Sequence, residues 1–520
     1  MSTDKFKESC SNNDGSNERI IVIGAGAAGL CALGRLMVHG QKDVILLEKG
    51  DHFGGVWFET NYPNLTIHSK SYGYKFFDFH PITSKGPRAT KEEVMTYFGQ
   101  YVEARKMANH ICLHKYVERI EYLEGSTGSH RCNVIVKDLD SGETIILKCT
   151  YVICALGFTN AGQAHRPVFE GEESFTGKVL HTSEYRTAHL NDIAENGKKV
   201  CVLGAGKSAY DNLLQFIDRG LSDNVTWTFK KALWGYNYDY IYSGNPDDMM
   251  VYREKMATYT ECFAKDPESQ ETLDAVKAIK ALNALLNVDE SDNHVHQMRS
   301  AVFKPHEVRL IREKITRVRS GIKSLSGDVI ELENGDNIQA DYLLCATGYE
   351  RGSNLPRLQI LHKDGSVQDY DVRKTKVLFR GVIDPKIPAV FIFTAEVPFN
   401  QQLYGYSIYG EWLARFIHQD LNITYSDEDI IEEIKHVEKV VKPGYAWCPE
   451  DSPFMSKGMS YSSNAFVVCL ENLKGVFRDF GIEAMATELP QHYNIEEKFI
   501  EIDEKIREAC SISDDDKFEH

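Results

Sequence analysis

The chain reads Ile20-Ile21-Val22-Ile23-Gly24-Ala25-Gly26-Ala27-Ala28-Gly29 near its start. A second stretch of the same design, Val200-Cys201-Val202-Leu203-Gly204-Ala205-Gly206-Lys207-Ser208-Ala209, lies 180 residues further on. Each is typical of a short buried strand, a tight turn and the start of a helix, the geometry in which a pyrophosphate lies on backbone amides. One such pattern is a weak signal, whereas two in one chain predict two dinucleotide sites.

The residues after the first glycine turn complete a nucleotide-binding unit. A helix is predicted from Ala27 to Val38, and a strand from Val44 to Leu47 ends in Glu48. A carboxylate at this distance from the glycines bonds a ribose hydroxyl, although an acid at a strand end is also a common surface charge. The strand, turn, helix and strand before Glu48 favour the ribose role.

The same plan occurs twice along the chain. A return strand, Tyr151 to Cys154, leads into Ala155-Leu156-Gly157, and Tyr342 to Cys345 leads into Ala346-Thr347-Gly348. Hairpins are predicted before each return strand, at 132–147 and 329–340. The predicted fold class is therefore α/β, with two Rossmann-like dinucleotide-binding domains and the second inserted into the first.

The second unit differs from the first at the end of its second strand. Val225 to Phe229 is followed by Lys230 and Lys231, where the first unit has an acid. Cations attract a 2′-phosphate, so the second site is predicted to take NADP, although two lysines also commonly begin a solvated loop. Lys207 and Ser208, at the helix start, are candidates to contact the pyrophosphate or a ribose.

A further glycine turn, Gly54-Gly55-Val56-Trp57, follows the first unit. Such a turn lets the backbone pass close to a ligand. A flavin in the first site would extend toward it.

Composition excludes several classes of function. The 520 residues carry a formal net charge of -17, which argues against nucleic-acid and anionic-membrane partners. No uncharged apolar stretch approaches the roughly 18–20 residues that cross a bilayer, and the polar first residues do not resemble a signal peptide. We expect a cytoplasmic protein. The 12 cysteines are dispersed without a Cys-x-x-Cys pair, so we expect inert thiols, and no metal site is predicted.

Three motifs beyond the two dinucleotide fingerprints at 24–29 and 204–209 indicate a family. They are Gly54-Gly55-Val56-Trp57, Phe175-x-Gly177-x-x-x-His181-x-x-x-Tyr185 and Ala346-Thr347-Gly348-Tyr349. With them, residues 20–425 resemble the flavin-containing monooxygenases among the class B flavoprotein monooxygenases. The Phe/Gly/His signature is the specific element, because glycine turns occur in many flavoproteins and dehydrogenases.

The resemblance implies which residues hold the cofactors, FAD and NADP(H). FAD would be bound by Gly24, Gly26, Gly29, Glu48, Val56, Trp57 and the backbone near Val117. NADP would be bound by Gly204, Gly206, Ser208 and the basic strand end, Lys230 and Lys231, with Lys207 beside them. In this family the histidine that matches His181 lies at the linker and ties nicotinamide binding to domain movement.

The predicted domain organisation follows from these assignments. It comprises a disordered tail at 1–18, a first part of the FAD domain at 19–162, an NADP domain at 163–335 with a helical insertion at about 234–298, a second part of the FAD domain at 336–425, and a helical extension with an acidic tail at 426–520. Within the insertion and the extension we expect helices at 271–286, 427–441 and near 464–480.

Two positions depart from the family pattern. An asparagine that contacts flavin and nicotinamide in many relatives is replaced by the stretch His68-Ser69-Lys70-Ser71. His68 and Ser69 are the nearest catalytic candidates. Tyr185 occupies a position at which Baeyer–Villiger relatives usually have Trp, which favours oxygenation at nitrogen or sulfur.

The implied reaction uses both cofactors and O₂. NADPH would reduce FAD, and a C4a-(hydro)peroxyflavin would oxygenate a small organic substrate, most readily at nitrogen or sulfur. Baeyer–Villiger oxidation of a ketone is the alternative. A pyridine nucleotide–disulfide oxidoreductase and a non-catalytic nucleotide-binding module are the remaining alternatives. The first needs a redox cysteine pair beside the flavin; Cys149 and Cys154 have a suitable spacing, but Cys154 lies within the return strand. The sequence leaves the substrate and the oligomeric state open.

Overall fold

The computed structural model of the chain describes residues 18–67, 71, 74–157, 164–230, 234–238, 298–349, 355–372, 375, 377–393, 402–421, 424–440 and 472–481. The predicted helix at 271–286, most of the 234–298 insertion and the terminal tails lie outside these residues.

The described chain alternates strands and helices. Its strands are β1 (Ile20–Ile23), β2 (Val44–Leu47), β3 (Ile111–Cys112), β4 (Lys115–Leu123), β5 (Cys132–Asp138), β6 (Thr144–Cys149), β7 (Tyr151–Cys154), β8 (Lys178–His181), β9 (Val200–Leu203), β10 (Val225–Thr228), β11 (Trp234–Asn237), β12 (Met298–Phe303), β13 (Thr316–Val318), β14 (Ile322–Ser326), β15 (Val329–Leu332), β16 (Asn337–Gln339), β17 (Tyr342–Cys345), β18 (Arg357–Leu361), β19 (Val367–Tyr370) and β20 (Val390–Ile392). Its α-helices are α1 (Ala27–Val38), α2 (Val56–Glu59), α3 (Lys91–Ala104), α4 (Thr187–Glu195), α5 (Lys207–Asp218), α6 (Pro305–Lys314), α7 (Gln402–Ile417), α8 (Asp427–Val440) and α9 (472–479).

The first glycine turn belongs to a parallel sheet with strand order β20-β7-β1-β2-β3. All four residues of β1 are buried, as are those of β2, because both faces of the sheet are covered. Helix α1 contacts α7 on one side of this sheet. The predicted α/β class, the helix from Ala27 to Val38 and the two strands are thereby confirmed.

The second glycine turn belongs to a separate parallel sheet, with order β13-β10-β9-β17-β8. Strand β17 pairs with both β9 and β8, so it is an inner strand of this second unit. The predicted boundary between residues 335 and 336 would assign β17 to the other domain and is wrong in this respect. The strand pairing extends the second unit to Cys345, since an inner strand cannot be removed from its sheet.

Two further sheets accompany the parallel ones, with strand orders β14-β15-β16 and β19-β18-β4-β5-β6. The predicted hairpins are present as β5 with β6 and as β15 with β16. Strands β11 and β12 pair in parallel where the chain enters and leaves the insertion.

The C-terminal part packs onto the first unit. Helix α8 begins at Asp427, as predicted, and ends at Val440. Leu473, Val476, Phe477 and Phe480, in and next to α9, are buried in the same hydrophobic core as α1 and α7. Over the described residues, no helix has both the length and the apolar character that a membrane span requires.

Candidate functional site

Two glycines of the first turn are demanded by the fold. Gly24 has a φ of +98°, and a Cβ there would lie 2.6 Å from the carbonyl oxygen of Ala155, at the end of β7. A Cβ at Gly29 would lie 1.8 Å from the carbonyl oxygen of Gly24. The turn is therefore packed against the neighbouring strand and against its own helix at distances that no side chain permits.

Gly26 has a different reason to be glycine. The nearest atom to a Cβ built there is the Cα of Gly55, at 3.8 Å, so the protein itself leaves room for a Cβ. No side chain caps the N-terminus of α1, which Gly26 precedes, and its first amides remain available. An open cradle of free amides at the end of a parallel sheet fits a dinucleotide pyrophosphate.

Glu48 lies beside this cradle. Its carboxylate accepts hydrogen bonds from the amides of Ala25, at 2.7 Å, and Gly50, at 2.8 Å. Each carboxylate oxygen has a further lone pair with which it can accept a ribose hydroxyl. The amide of Lys115 donates to the Glu48 carbonyl at 2.8 Å, which brings Val117, two residues along β4, to the same end of the sheet.

The Gly54-Gly55-Val56-Trp57 turn is docked on the first glycine turn. The Gly54 amide donates to the Ala25 carbonyl at 2.8 Å, and a Cβ at Gly55 would lie 3.0 Å from the Cα of Gly26. The indole N–H of Trp57 donates to the hydroxyl of Tyr74 at 2.7 Å. The side chain of Val56 is exposed. The structure thus brings together the residues that the sequence assigned to FAD.

The second glycine turn repeats the first. Gly204 has a φ of +118°, and its Cβ would lie 2.4 Å from the Ala346 carbonyl oxygen, at the end of β17. No side chain caps the N-terminus of α5, which begins after Gly206. Ala209 stands where the first unit has its third glycine and is fully buried. These features fit a second dinucleotide.

Lys207, at the start of α5, is engaged by an acid of the same helix. Its ammonium forms an ion pair with Asp211, one turn further along α5. The other oxygen of Asp211 accepts a hydrogen bond from the hydroxyl of Tyr62 at 3.0 Å. The Lys207 ammonium therefore has an acidic partner within the protein, and its contact with a pyrophosphate or ribose stays a prediction.

Lys230 lies at the end of β10 with its side chain 63% exposed. Its ammonium is 2.5 Å from a carboxylate oxygen of Glu333, and its carbonyl accepts from the guanidinium of Arg319 at 3.4 Å. Glu333 was missed by the sequence reasoning, because it follows β15, about a hundred residues away. Lys231, His68 and Ser69 lie outside the described residues.

In the Phe/Gly/His signature, Phe175 and Gly177 serve chain packing. A Cβ at Gly177 would lie 2.6 Å from both the Asp341 carbonyl oxygen and the ring of Phe175. Tyr185 is buried in the core of the second unit, where its ring lies near those of His189 and Phe216. The identity of residue 185 therefore bears on core packing.

His181 lies where the chain passes between the two units, and it contacts Tyr349 of the Ala346-Thr347-Gly348-Tyr349 motif. It is fully buried, its Nδ1 is 2.8 Å from the Ser183 hydroxyl, and its ring meets the edge of Tyr349. Burial lowers the pKa of His181 below its ordinary value. The Tyr349 hydroxyl lies 3.4 Å from that of Thr60. Tyr349 also forms an antiparallel bridge with Ala164, so the chain segments around these two residues run side by side.

Residues 58–62, here called the connecting segment, link the flavin turn to the second unit, and the sequence pattern did not indicate this role. The ammonium of Lys91 donates to the carbonyls of Phe58 and Thr60, both at 2.9 Å. At the other end Tyr62 is buried in the core of the second unit. Asp211, four residues after Lys207, was detectable as a helix ion pair, whereas nothing in the sequence pairs Tyr62 with it.

The two cysteines considered for disulfide chemistry are buried and free. Burial raises the pKa of the Cys154 thiol to about 12, and that of Cys149 well above its ordinary value. Neither is an available thiolate near neutral pH, which argues against a disulfide oxidoreductase.

Comparisons with known proteins agree with this arrangement. The family model "Flavin-binding monooxygenase-like" matches residues 17–448, which confirms the resemblance inferred from the motifs. A putative flavin-containing monooxygenase 2 of Arabidopsis thaliana is 23% identical over 81% of this chain and 91% of its own length. The FAD-containing monooxygenase EthA of Mycobacterium tuberculosis is 25% identical over 39% of each chain, so the chain spans about two fifths of the first curated relatives it matches.

Solved structures show the same fold. A cyclohexanone monooxygenase from Rhodococcus sp. Phi1, bound to NADP+, has a TM-score of 0.62 at 17% identity, covering 89% of this chain and 98% of that one. An oxidized steroid monooxygenase bound to NADP has a TM-score of 0.59 at 16% identity, covering 88% and 98%. The predicted pair of nucleotide-binding domains and the predicted cofactors, FAD and NADP, are consistent with these findings.

Proposed function

The chain belongs to the flavin-binding monooxygenase-like family, and from this premise we propose that it is an NADPH-dependent monooxygenase that oxygenates a small organic substrate at nitrogen or sulfur. The observation that carries the proposal is the pair of uncapped glycine turns, each at the carboxyl end of its own parallel sheet, connected through Thr60, Tyr349 and His181. Two dinucleotide sites coupled through one connection suit electron transfer from one cofactor to the other.

Named residues of the chain would hold the two cofactors. The amides that follow Gly26 would bind the FAD pyrophosphate and Glu48 a ribose, while the amides that follow Gly206 would bind the NADP pyrophosphate. When bound, the cofactors supply hydride transfer and the activation of O₂. The protein orients them and excludes water from the site.

His181 would transmit the position of the second unit. Its buried imidazole contacts Tyr349, which follows β17, and Tyr349 lies against Thr60 from the flavin side. Because burial lowers the pKa of His181, the ring is held neutral near pH 7 and acts through packing and hydrogen bonds. This supports a role in domain coupling.

His68 and Ser69 remain proposed as residues that orient the reacting groups. Ile67 and Ser71, the nearest described residues on either side of them, are both hydrogen-bonded to residues 87–89. The Ile67 amide donates to the Ala89 carbonyl at 2.9 Å, and the Ser71 amide donates to the Pro87 carbonyl at 3.1 Å. The His68→Ala and Ser69→Ala variants should therefore retain FAD and form less product for each NADPH consumed.

The choice of nitrogen or sulfur rests on the resemblance to flavin-containing monooxygenases and on the tyrosine at position 185. The burial of Tyr185 in the core limits the second argument to family likeness. Oxygenation of a ketone is the competing reaction.

The test measures NADPH-dependent O₂ uptake by the FAD-loaded protein with a tertiary amine, a thioether or a cyclic ketone. We expect O₂ uptake with NADPH, and an N-oxide or S-oxide formed in proportion to it. A lactone from the ketone, with no N- or S-oxide, would establish Baeyer–Villiger chemistry instead. NADPH oxidation that reduces a disulfide without consuming O₂ would contradict the monooxygenase class.

A further inference from the structure

Asp211 lies between the predicted NADP site and the flavin side of the molecule. One carboxylate oxygen pairs with the Lys207 ammonium at the start of α5, and the other accepts from Tyr62 at 3.0 Å. The side chain of Asp211 is 11% exposed and that of Lys207 is 20% exposed. The three groups form one partly buried triad at the helix N-terminus where the pyrophosphate would bind.

Tyr62 is supplied by the connecting segment, which begins directly after Trp57. The segment is fixed near its start by the ammonium of Lys91. Its end is inserted into the core of the second unit, where Tyr62 is 5% exposed. A short stretch of chain thus runs from the flavin turn to the N-terminus of α5.

The protonation state of Tyr62 fixes its role. Burial and the neighbouring Asp211 raise the pKa of Tyr62 well above its ordinary value. The hydroxyl therefore stays protonated and donates to the carboxylate.

We propose that Asp211 is a positioning residue that releases the Lys207 ammonium to the phosphates of NADP and thereby couples NADP binding to the connecting segment; this rests on the proposed function. Phosphate oxygens that bind at the N-terminus of α5 compete with Asp211 for the Lys207 ammonium. Once Lys207 turns to the phosphate, Asp211 keeps the Tyr62 hydroxyl as a partner. The Tyr62–Asp211 bond then limits the cost of leaving a partly buried carboxylate without its cation.

The proposal predicts effects of opposite sign within one triad. Tyr62→Phe removes the donor that compensates Asp211, so NADP+ should bind about 3–10-fold more weakly. Asp211→Asn removes the competing and repelling carboxylate, so NADP+ should bind about 3–10-fold more tightly. A merely structural role would weaken binding in both variants.

The experiment measures NADP+ binding to the oxidised, FAD-loaded protein by titration calorimetry. Tyr210→Phe is the matched control. Tyr210 is another buried tyrosine of the same core, lies on α5 and contacts Trp227 and Phe303, and this variant should bind NADP+ like the wild type. FAD content and thermal unfolding show that each variant is folded.

A second readout follows the flavin itself. NADP+ should perturb the visible flavin absorbance of the wild type, and this perturbation at saturating NADP+ should be smaller in Tyr62→Phe. The double variant Asp211→Asn/Tyr62→Phe should bind NADP+ like Asp211→Asn, because Tyr62 acts through the carboxylate. If Asp211→Asn does not fold, Lys207→Gln provides the same cycle, in which Tyr62→Phe should again have no added effect.

The outcomes are distinguishable. Unchanged NADP+ binding in Tyr62→Phe, or weakened binding in Asp211→Asn, would overturn the inference. A wild-type holoprotein that binds no NADP+ would instead overturn the proposed function.

Discussion

The two glycine turns of this chain have the same internal geometry. Gly24 and Gly204 both have positive φ, and at each a Cβ would collide with a carbonyl oxygen of the return strand, that of Ala155 or Ala346. Neither following helix has a side-chain cap. The strand, turn and helix of the two sites are therefore dictated by the same steric requirement.

The sites differ where the second strand ends. Glu48 is 8% exposed and is held by two backbone amides, whereas Lys230 is 63% exposed and its described side-chain partner is one carboxylate, Glu333. At the first site the acid is held by the backbone of the protein itself, whereas at the second the lysine lies at the surface. This difference suits a cofactor that stays bound in the first site and a coenzyme that exchanges in the second.

The largest expected effect is the loss of one cofactor without the other, from a substitution in one glycine turn at a time. Gly26→Val should fold but purify without FAD, because the protein leaves room for a Cβ at this position and a bound pyrophosphate would not. Gly206→Val should retain yellow FAD and bind NADP+ more than about 100-fold more weakly. Flavin absorbance, circular dichroism and NADP+ titration measure these properties.

Gly29→Ala is the structural control for this comparison. Its Cβ would lie 1.8 Å from the Gly24 carbonyl oxygen, so this variant should lose the fold together with the flavin. A yellow Gly26→Val protein would refute the assignment of FAD to the first turn.

The sequence predicted those parts of the fold and site that depend on local pattern. Both glycine turns, the strand ending in Glu48 and the hairpins depend on near neighbours and are present. The boundary at 335 was wrong because the pairing of β17 with β8 is a long-range choice among similar apolar strands.

The missed site residues have the same explanation. Tyr62 and Asp211 are 149 positions apart, and Lys230 and Glu333 are 103 apart. No local periodicity encodes such pairs. The role of His181 at the connection came from the family resemblance, and its contact with Tyr349 became visible only in the structure.

A second expected effect concerns a buried ion network that involves α1, the helix that follows the first turn. Arg35, on α1, pairs with Asp78 at 2.8 Å and with Glu411, on α7, at 2.6 Å, and all three side chains are buried. Glu411→Gln should lower the free energy of unfolding by about 3–5 kcal/mol at pH 7, because it leaves Arg35 with less compensating charge. Urea unfolding followed by flavin release and circular dichroism measures this loss.

The pH dependence of this effect has a definite sign. Burial acts to raise the pKa of Glu411, but Arg35 and His39 outweigh it and hold that pKa well below its ordinary value. The stabilisation is therefore complete above the unfolded pKa of about 4.3 and is lost as the pH falls further. The difference between wild type and Glu411→Gln should shrink below about pH 4. A difference that grows on acidification would contradict the ion-pair account.

The smallest expected effect tests the open end of the second site. Lys230→Ala should weaken NADPH binding by about 0.2–1 kcal/mol and leave NADH almost unaffected, because an exposed lysine shared with Glu333 contributes little. Glu333→Gln should strengthen NADPH binding by a similar amount, since it releases the Lys230 ammonium for the 2′-phosphate.

The matched control is Lys323→Ala, which breaks another exposed ion pair of the same unit, with Glu331 at 2.8 Å, and should change the binding of neither coenzyme. Equal losses for NADPH and NADH in Lys230→Ala would show that the lysine acts through the general field of the protein. Weaker NADPH binding in Glu333→Gln would show that the carboxylate holds Lys230 in place for the phosphate.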